Sequence, residues 1–255
     1  MKFLKQLLGV QTQTSNLGVL LETGRVPLLT YAIKNSIKNW YRIAILNDCN
    51  TLTQLSFQNI VEKDFEWYKN VKLLLCNIGL GSILCGSTSN PEVAVFKRLV
   101  DIFHQNAFTE IKKETSKLRT YSLVKKEAGE EPYLKRIKNV KERISMTKFR
   151  LSNHNLMIEK GRHLNLKKTD RKCPFCPSLE DEIHFLLNCP TFSVLRDKML
   201  SSVNESLNEV LNRNDNEMML RYLLGNTKIS PLVAKYIKKT MELRDFLIDN
   251  PKQLT

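Results

Sequence analysis

The spacing C-x2-C-x7-H-x4-C, formed by Cys173, Cys176, His184 and Cys189 within RKCPFCPSLEDEIHFLLNCP, constrains this chain more than any other feature. Two cysteines separated by two residues can curl around one ion through backbone N–H···S contacts. Three thiolates and one imidazole then form a mixed sulfur and nitrogen set that zinc accepts as a tetrahedron without strain. A lone C-x2-C could be redox-active or accidental. A histidine and a third cysteine at ligand spacing give the pattern its specificity. Four protein ligands leave no open position, so the expected cofactor is structural Zn2+ rather than a hydrolytic centre.

The residues between the ligands fit that role. Ser178-Leu-Glu-Asp181 resembles a capping box and predicts a short helix, with Glu180, Asp181 and Glu182 in a first turn that favours acids. Glu180 or Asp181 could accept the free ring N–H of His184, or could simply be helix-start charge. Phe175, inside the knuckle, could stack on a base or cover the metal and pack inward. Cys49, Cys76 and Cys85 lie in apolar surroundings and read as packing residues. His104, His154 and His163 have no partner pattern, although His163 stays a minor candidate through its closeness in sequence.

Lys and Arg number 40 against 26 Asp and Glu, a net charge of +14. Between Glu110 and Lys172 there are 19 basic and 8 acidic residues, so one quarter of the chain holds most of the excess. Such a field favours anionic partners. Basic runs are commonly solvated helix faces, but one that abuts a metal-ligand pattern reads as a phosphate-contacting surface. Lys148, Arg150, Arg162, Lys167, Lys168, Arg171 and Lys172 are the candidates.

Apolar residues make up 42% of the chain, enough for a sizeable core. The longest apolar region, Val71 to Leu84, is interrupted and too short to span a bilayer. Nothing reads as a secretion signal, so reduced cysteines and an intracellular location, nucleus or cytoplasm, are expected, with no membrane partner.

The helix period dominates. Pro27 opens a run with Leu29, Ile33, Ile37, Trp40 and Ala44 on one face. A second run covers about Leu52 to Leu75, and glycines 79, 81 and 86 with Ser87 to Asn90 form a loop. Asn90-Pro91-Glu92 starts a helix to about Lys117. From Pro132, an apolar stripe through Leu134, Ile137, Val140, Ile144 and Leu151 leaves Lys135, Arg136, Lys138, Lys141 and Arg143 largely on other faces. A short hairpin near Leu164–Lys168 and the first cysteine pair is allowed by the pattern. Helices near Phe192–Leu200, Val203–Leu211 and Glu217–Leu224 precede a last one from Ser230-Pro231 to about Asp249. The expected fold is mainly α: helical bundle domains with a small zinc module. Ala128-Gly129-Glu130-Glu131 is the expected boundary, dividing the chain into residues 1–128 and 129–255.

KFRLSNHNLMIEKGRH followed by RKCPFCPSLEDEIHFLLNCPTFSVLR resembles the C-terminal region of reverse-transcriptase proteins of LINE-type (non-LTR) retrotransposons. LLGVQTQTSNLGVLLETGRVPL is similar to the segment after the polymerase core in those proteins, so the resemblance spans about residues 3 to 200. It implies a helical extension ending in a zinc module that helps hold template RNA or target DNA. Cys173, Cys176, His184 and Cys189 would be the ligands, and Arg150, His154 and Arg162 match recurrent family positions.

The chain departs from that family in its chemistry. It has no adjacent Asp-Asp and no Tyr-x-Asp-Asp to hold the paired metals of polymerisation, no phosphate-binding P-loop and no nucleophile elbow. The resemblance therefore implies a non-catalytic accessory region, with polymerase or endonuclease domains belonging to a full-length relative. The alternative is a zinc-stabilised helical protein-interaction module or a nonfunctional retroelement remnant.

Overall fold

A computed structural model describes residues 1–44, 51–86, 89–113, 116–207 and 215–251. Among these residues the protein is helical, without a strand; two isolated antiparallel bridges, Thr23–Glu130 and Lys172–Leu179, are the β-pairing present. No described helix is long and apolar enough to cross a membrane.

The chain forms two compact units, and they are not the expected halves. One joins Met1–Arg25 to Phe108–Thr255; the other is Val26–Ala107. The first unit begins with α1 (Lys2–Leu8) and α2 (Asn16–Glu22), the latter capped by Ser15 Oγ accepting from Gly18 N.

The second unit holds α3 (Leu28–Ala44), α4 (Leu52–Glu62), α5 (Glu66–Asn77) and most of α6 (Pro91–Ile111) around Ile37, Trp40, Val71, Leu75, Ile83 and Val95. The α3 period holds, although Leu29 is exposed. The run expected from Leu52 to Leu75 is two helices. Asp64 takes a left-handed conformation (φ 45°) between them, with its carboxylate 2.7 Å from Lys72 Nζ. Cys76 and Cys85 are exposed, not packed in the core; Cys49 lies outside the described residues. The α6 helix stops at Ile111, short of Lys117.

The first unit resumes with α7 (Arg119–Val124), α8 (Tyr133–Arg136), α9 (Val140–Arg150), α10 (Met157–His163), α11 (Ser193–Leu207), α12 (Asn216–Gly225) and α13 (Ser230–Asp249). The expected helix from Pro132 breaks because Ile137 is extended and Asn139 starts a new helix, its Oδ1 accepting from the backbone N–H groups of Lys141 and Glu142. The break resets the helical phase. Val140 is exposed, and α9 buries Met146, Thr147, Phe149 and Arg150 instead. The helices expected at Phe192–Leu200 and Val203–Leu211 are one, α11, up to Leu207; residues 208–211 lie outside the described ones. The α13 helix starts at Ser230 as expected and packs along α9 and α11, burying Val233, Ala234, Ile237 and Thr240.

Residues 128–131, expected as the domain boundary, are where the N-terminal segment docks. Glu131 N donates to Glu22 O (3.0 Å), and a side chain at Gly24 would collide with the backbone of Glu130. Beneath this contact, Arg150 is fully buried. Its Nε donates to Glu22 Oε1 (2.8 Å), Nη2 to Glu131 Oε2 (2.6 Å) and Nη1 to Leu224 O (2.6 Å). Tyr133 Oη donates to Glu22 Oε1 (2.5 Å), and the Tyr133 ring lies 5.0 Å from the guanidinium carbon. Each buried charge is thus paired, as its loss of hydration requires.

Candidate metal centre

The knuckle is built by backbone pairing on either side of the first two cysteines. Cys173 N donates to Ser178 O (2.8 Å) and Glu180 N to Arg171 O (3.0 Å). This pairing folds Pro174–Pro177 into a tight turn; it replaces the hairpin expected from Leu164. The expected short helix is a π-helical turn, His184–Asn188, after which the chain extends at Cys189. Asp181 Oδ1 accepts from His184 N (2.8 Å), the side-chain cap predicted for Ser178.

These turns bring the four ligand atoms within 4.8 Å of one another. Cys173 Sγ and Cys189 Sγ are 3.9 Å apart, and Cys176 Sγ is 3.2 Å from His184 Nε2. A tetrahedral ion with sulfur at about 2.3 Å and nitrogen at about 2.0 Å needs separations of roughly 3.8 and 3.6 Å. The donors fit a single metal ion of that size. Their electrostatics fit it too. Cys189 is drawn down to about 5 by the hydrogen bond it accepts from Cys173, and that same bond, with burial, pushes Cys173 up. A cation between two sulfurs this close would favour the thiolate form of both.

The site is continuous with the core. Cys173 and Cys189 are buried among Phe185, Phe192, Leu200 and Ile237. Phe175 packs inward, edge-on to Phe192 (5.7 Å), and Phe185 connects Phe192 to Phe149 of α9. Of the two roles open to Phe175, covering the site is the one its position serves.

The acids of the motif do something the sequence did not suggest. Glu180 is buried, accepting from Arg244 Nε (2.6 Å) and Nη2 (2.8 Å) of α13 and from Met157 N (2.6 Å). Glu182 is buried against Arg119 of α7, with Nη2 at 2.6 and 2.9 Å, and His154 Nε2 at 3.0 Å. Arg119 also reaches Glu159 (2.7 Å). The loop carrying the four candidate ligands is therefore clamped by ion pairs to two helices, α13 and α7, and neither glutamate serves the His184 ring. The resemblance left Arg150 and His154 without roles; both turn out to anchor buried carboxylates.

Burial alone would push the Glu182 carboxyl up, but the hydrogen bond from His154 and the Arg119 charge outweigh it and hold it at about 2. An unfolded glutamate titrates near about 4.3. A depressed folded value stabilises the protein above about pH 4.3, and this contribution, on the order of 3 kcal/mol, is lost as pH falls towards 2. Urea midpoints measured down that window should fall steeply, and Glu182→Gln should flatten the slope.

No family model, curated protein or solved structure matches the chain.

The cationic candidates separate into two groups. Arg150 is buried and bonded on all sides, so it is not available to a phosphate. Arg171 lies over Gly161, where a Cβ would strike its Cγ, and donates to Ile158 O (3.0 Å) and Leu166 O (2.9 Å). It ties α10 to the knuckle rather than facing solvent. Arg162 is exposed and pairs with Glu159 (3.2 Å). Lys167, Lys168 and Lys172 are exposed, and Lys148 is half-buried; none of these four has an acidic partner among the described residues.

Proposed function

We propose that this protein is a non-catalytic nucleic-acid-binding accessory module of the kind its sequence resembles, the C-terminal region of LINE-type reverse-transcriptase proteins. The ion in its Cys3His cluster is zinc, held by Cys173, Cys176, His184 and Cys189. The zinc supplies a closed tetrahedral crosslink, and the residues around it supply the surface. One observation carries the reading. In the segment leading into the knuckle, the arginines are engaged with protein groups while Lys167, Lys168 and Lys172 stay exposed and unpaired. Flexible ammonium groups on an ordered loop suit phosphate contact without base selection.

The triple substitution Lys167→Glu, Lys168→Glu, Lys172→Glu tests this. It should weaken binding to a single-stranded oligonucleotide at least tenfold and reduce the slope of log affinity against log salt by about 2. The circular dichroism spectrum and metal content should not change. Unaltered binding by the folded triple variant, or no binding of any oligonucleotide at low salt, refutes the proposal.

A second reading, a zinc-stabilised protein-interaction module, draws on the exposed Leu28, Leu52 and Leu55 of the second unit. It expects the triple variant to keep its partner.

A further inference from the structure

A polar cavity of about 180 Å3 opens in the first unit beside Gln11, Gln13, Lys117, Asn153, His154 and Lys160, with Glu159 and His163 also at its wall. It is roomy enough for a group several times the size of a water molecule. Its wall is fixed from behind. Asn153 Oδ1 accepts from Gln11 N (3.0 Å) and Asn153 Nδ2 donates to Gln11 Oε1 (3.2 Å), holding the N-terminal segment against the turn after α9. Ser152, in that turn, takes a left-handed conformation (φ 50°), unfavourable for a residue with a side chain, and is itself buried.

His154 is the telling group. Its side chain is 1% exposed. Nε2 is committed to Glu182, which fixes the ring, yet Nδ1 is buried without a hydrogen-bond partner. An unpaired buried ring nitrogen costs stability, and a polar group bound in the cavity would satisfy it.

The charge around the cavity says which ligand. Glu159 and Glu182 are matched by Arg119 and Arg162, so these four groups cancel. Lys117 and Lys160 remain, neither hydrogen-bonded to a carboxylate. Lys117 is half-buried. Burial pushes its ammonium below the usual lysine range; the Glu159 charge opposes this, and nearby Arg162 and Lys5 add to the depression. A half-buried ammonium with no carboxylate hydrogen-bonded to it, beside a second lysine also without one, suits an anion.

We infer that this cavity binds a phosphoryl group, contacted by Lys117, Lys160 and the Nδ1 edge of His154. The amides of Gln13 and Asn155 can add neutral donors. Two sources carry this chemistry, free inorganic phosphate and the terminal phosphate of a nucleic-acid strand. The second deepens the nucleic-acid reading and rests on it; the first does not.

The test titrates inorganic phosphate into the metal-loaded full chain while following the His154 ring nitrogens by NMR. A saturable shift with a dissociation constant near about 1 mM is expected. Lys117→Ala/Lys160→Ala should weaken it about tenfold. His154→Gln, followed through the Asn153 side-chain amide instead, should weaken binding if the variant folds, and the lysine pair carries the test if it does not. A second arm compares 5′-phosphorylated, 3′-phosphorylated and unphosphorylated oligonucleotides. Tighter binding of a phosphorylated form, lost in the lysine variant, assigns the strand end. Equal binding of all three, with phosphate alone still saturating, assigns the free anion. No saturable response of His154 to phosphate overturns the inference. That result is distinct from failure of the nucleic-acid reading, which the Lys167, Lys168 and Lys172 substitutions probe separately.

Discussion

Chelating the metal, or substituting Cys189→Ser, should abolish the cooperative unfolding transition of the first unit at room temperature. The reason is where the ligands sit. Cys173 and Cys189 are core residues, in the same buried cluster as Phe192, Phe185 and Phe149, with Phe175 packed against it. Ion release leaves adjacent sulfurs in an apolar surround and frees the turn that positions Glu180 and Glu182, so both clamps to α7 and α13 loosen with it. Structural zinc contributes about 10–16 kcal/mol in small zinc-dependent folds, which equals or exceeds the whole stability of about 5–15 kcal/mol of a typical domain. Thermal melts by circular dichroism, with and without chelator, together with metal analysis at one ion per chain, check this. An unchanged melt after the metal has been removed would show that the cluster does not support the fold. Cys76→Ser, at an exposed position in the second unit, is the control and should melt like the parent.

The second large effect is at Arg150. Arg150→Ala should cost about 3–5 kcal/mol, because it leaves Glu22 charged, buried and short of its guanidinium. Glu22 has 0% exposure, so water cannot compensate. Replacing both charges, as Glu22→Gln with Arg150→Met, should cost less than Arg150→Ala alone, since the stranded charge is what destabilises. A double-mutant cycle from urea denaturation reads the coupling directly. Deleting residues 1–25 should imitate Arg150→Ala, since Glu22 leaves with the segment. Additive effects of the two single substitutions would mean that the pair does not act as a unit.

The convergence of Cys173, Cys176, His184 and Cys189 was legible because such a cluster is a local constraint. Four donors that could meet one ion lie within a short segment, and their spacing records it. The start of α13 at Ser230-Pro231 was legible for a similar reason, since a proline suits a first helical turn. What escaped is carried by long-range pairs. Arg150 counted as one more cation in a basic run, while its partner Glu22 lies 128 residues away, a distance over which no periodicity speaks. Glu180 and Glu182 looked like helix-start acids, and nothing near them announced Arg244 or Arg119. A charge count weighs every cation alike, whereas the fold buries Arg150 and Arg244, whose planar forks satisfy several acceptors, and leaves Lys167, Lys168 and Lys172 exposed. The placement of the domain boundary failed by the same logic. Gly129 and its neighbours have linker composition, yet they receive a segment from the far N-terminus.

That discontinuous unit has a consequence for biosynthesis. Glu22 leaves the ribosome long before Arg150 is made. At roughly 5–20 residues per second, the 128 intervening positions take on the order of ten seconds to translate. Through that interval the nascent N-terminal helices have no native surface to settle on, whereas residues 26–107 can complete their own core. Chaperone dependence during translation should therefore fall on the first two helices, and a circularly permuted chain that begins at residue 108, so that residues 1–25 follow residue 255, would be relieved of the wait.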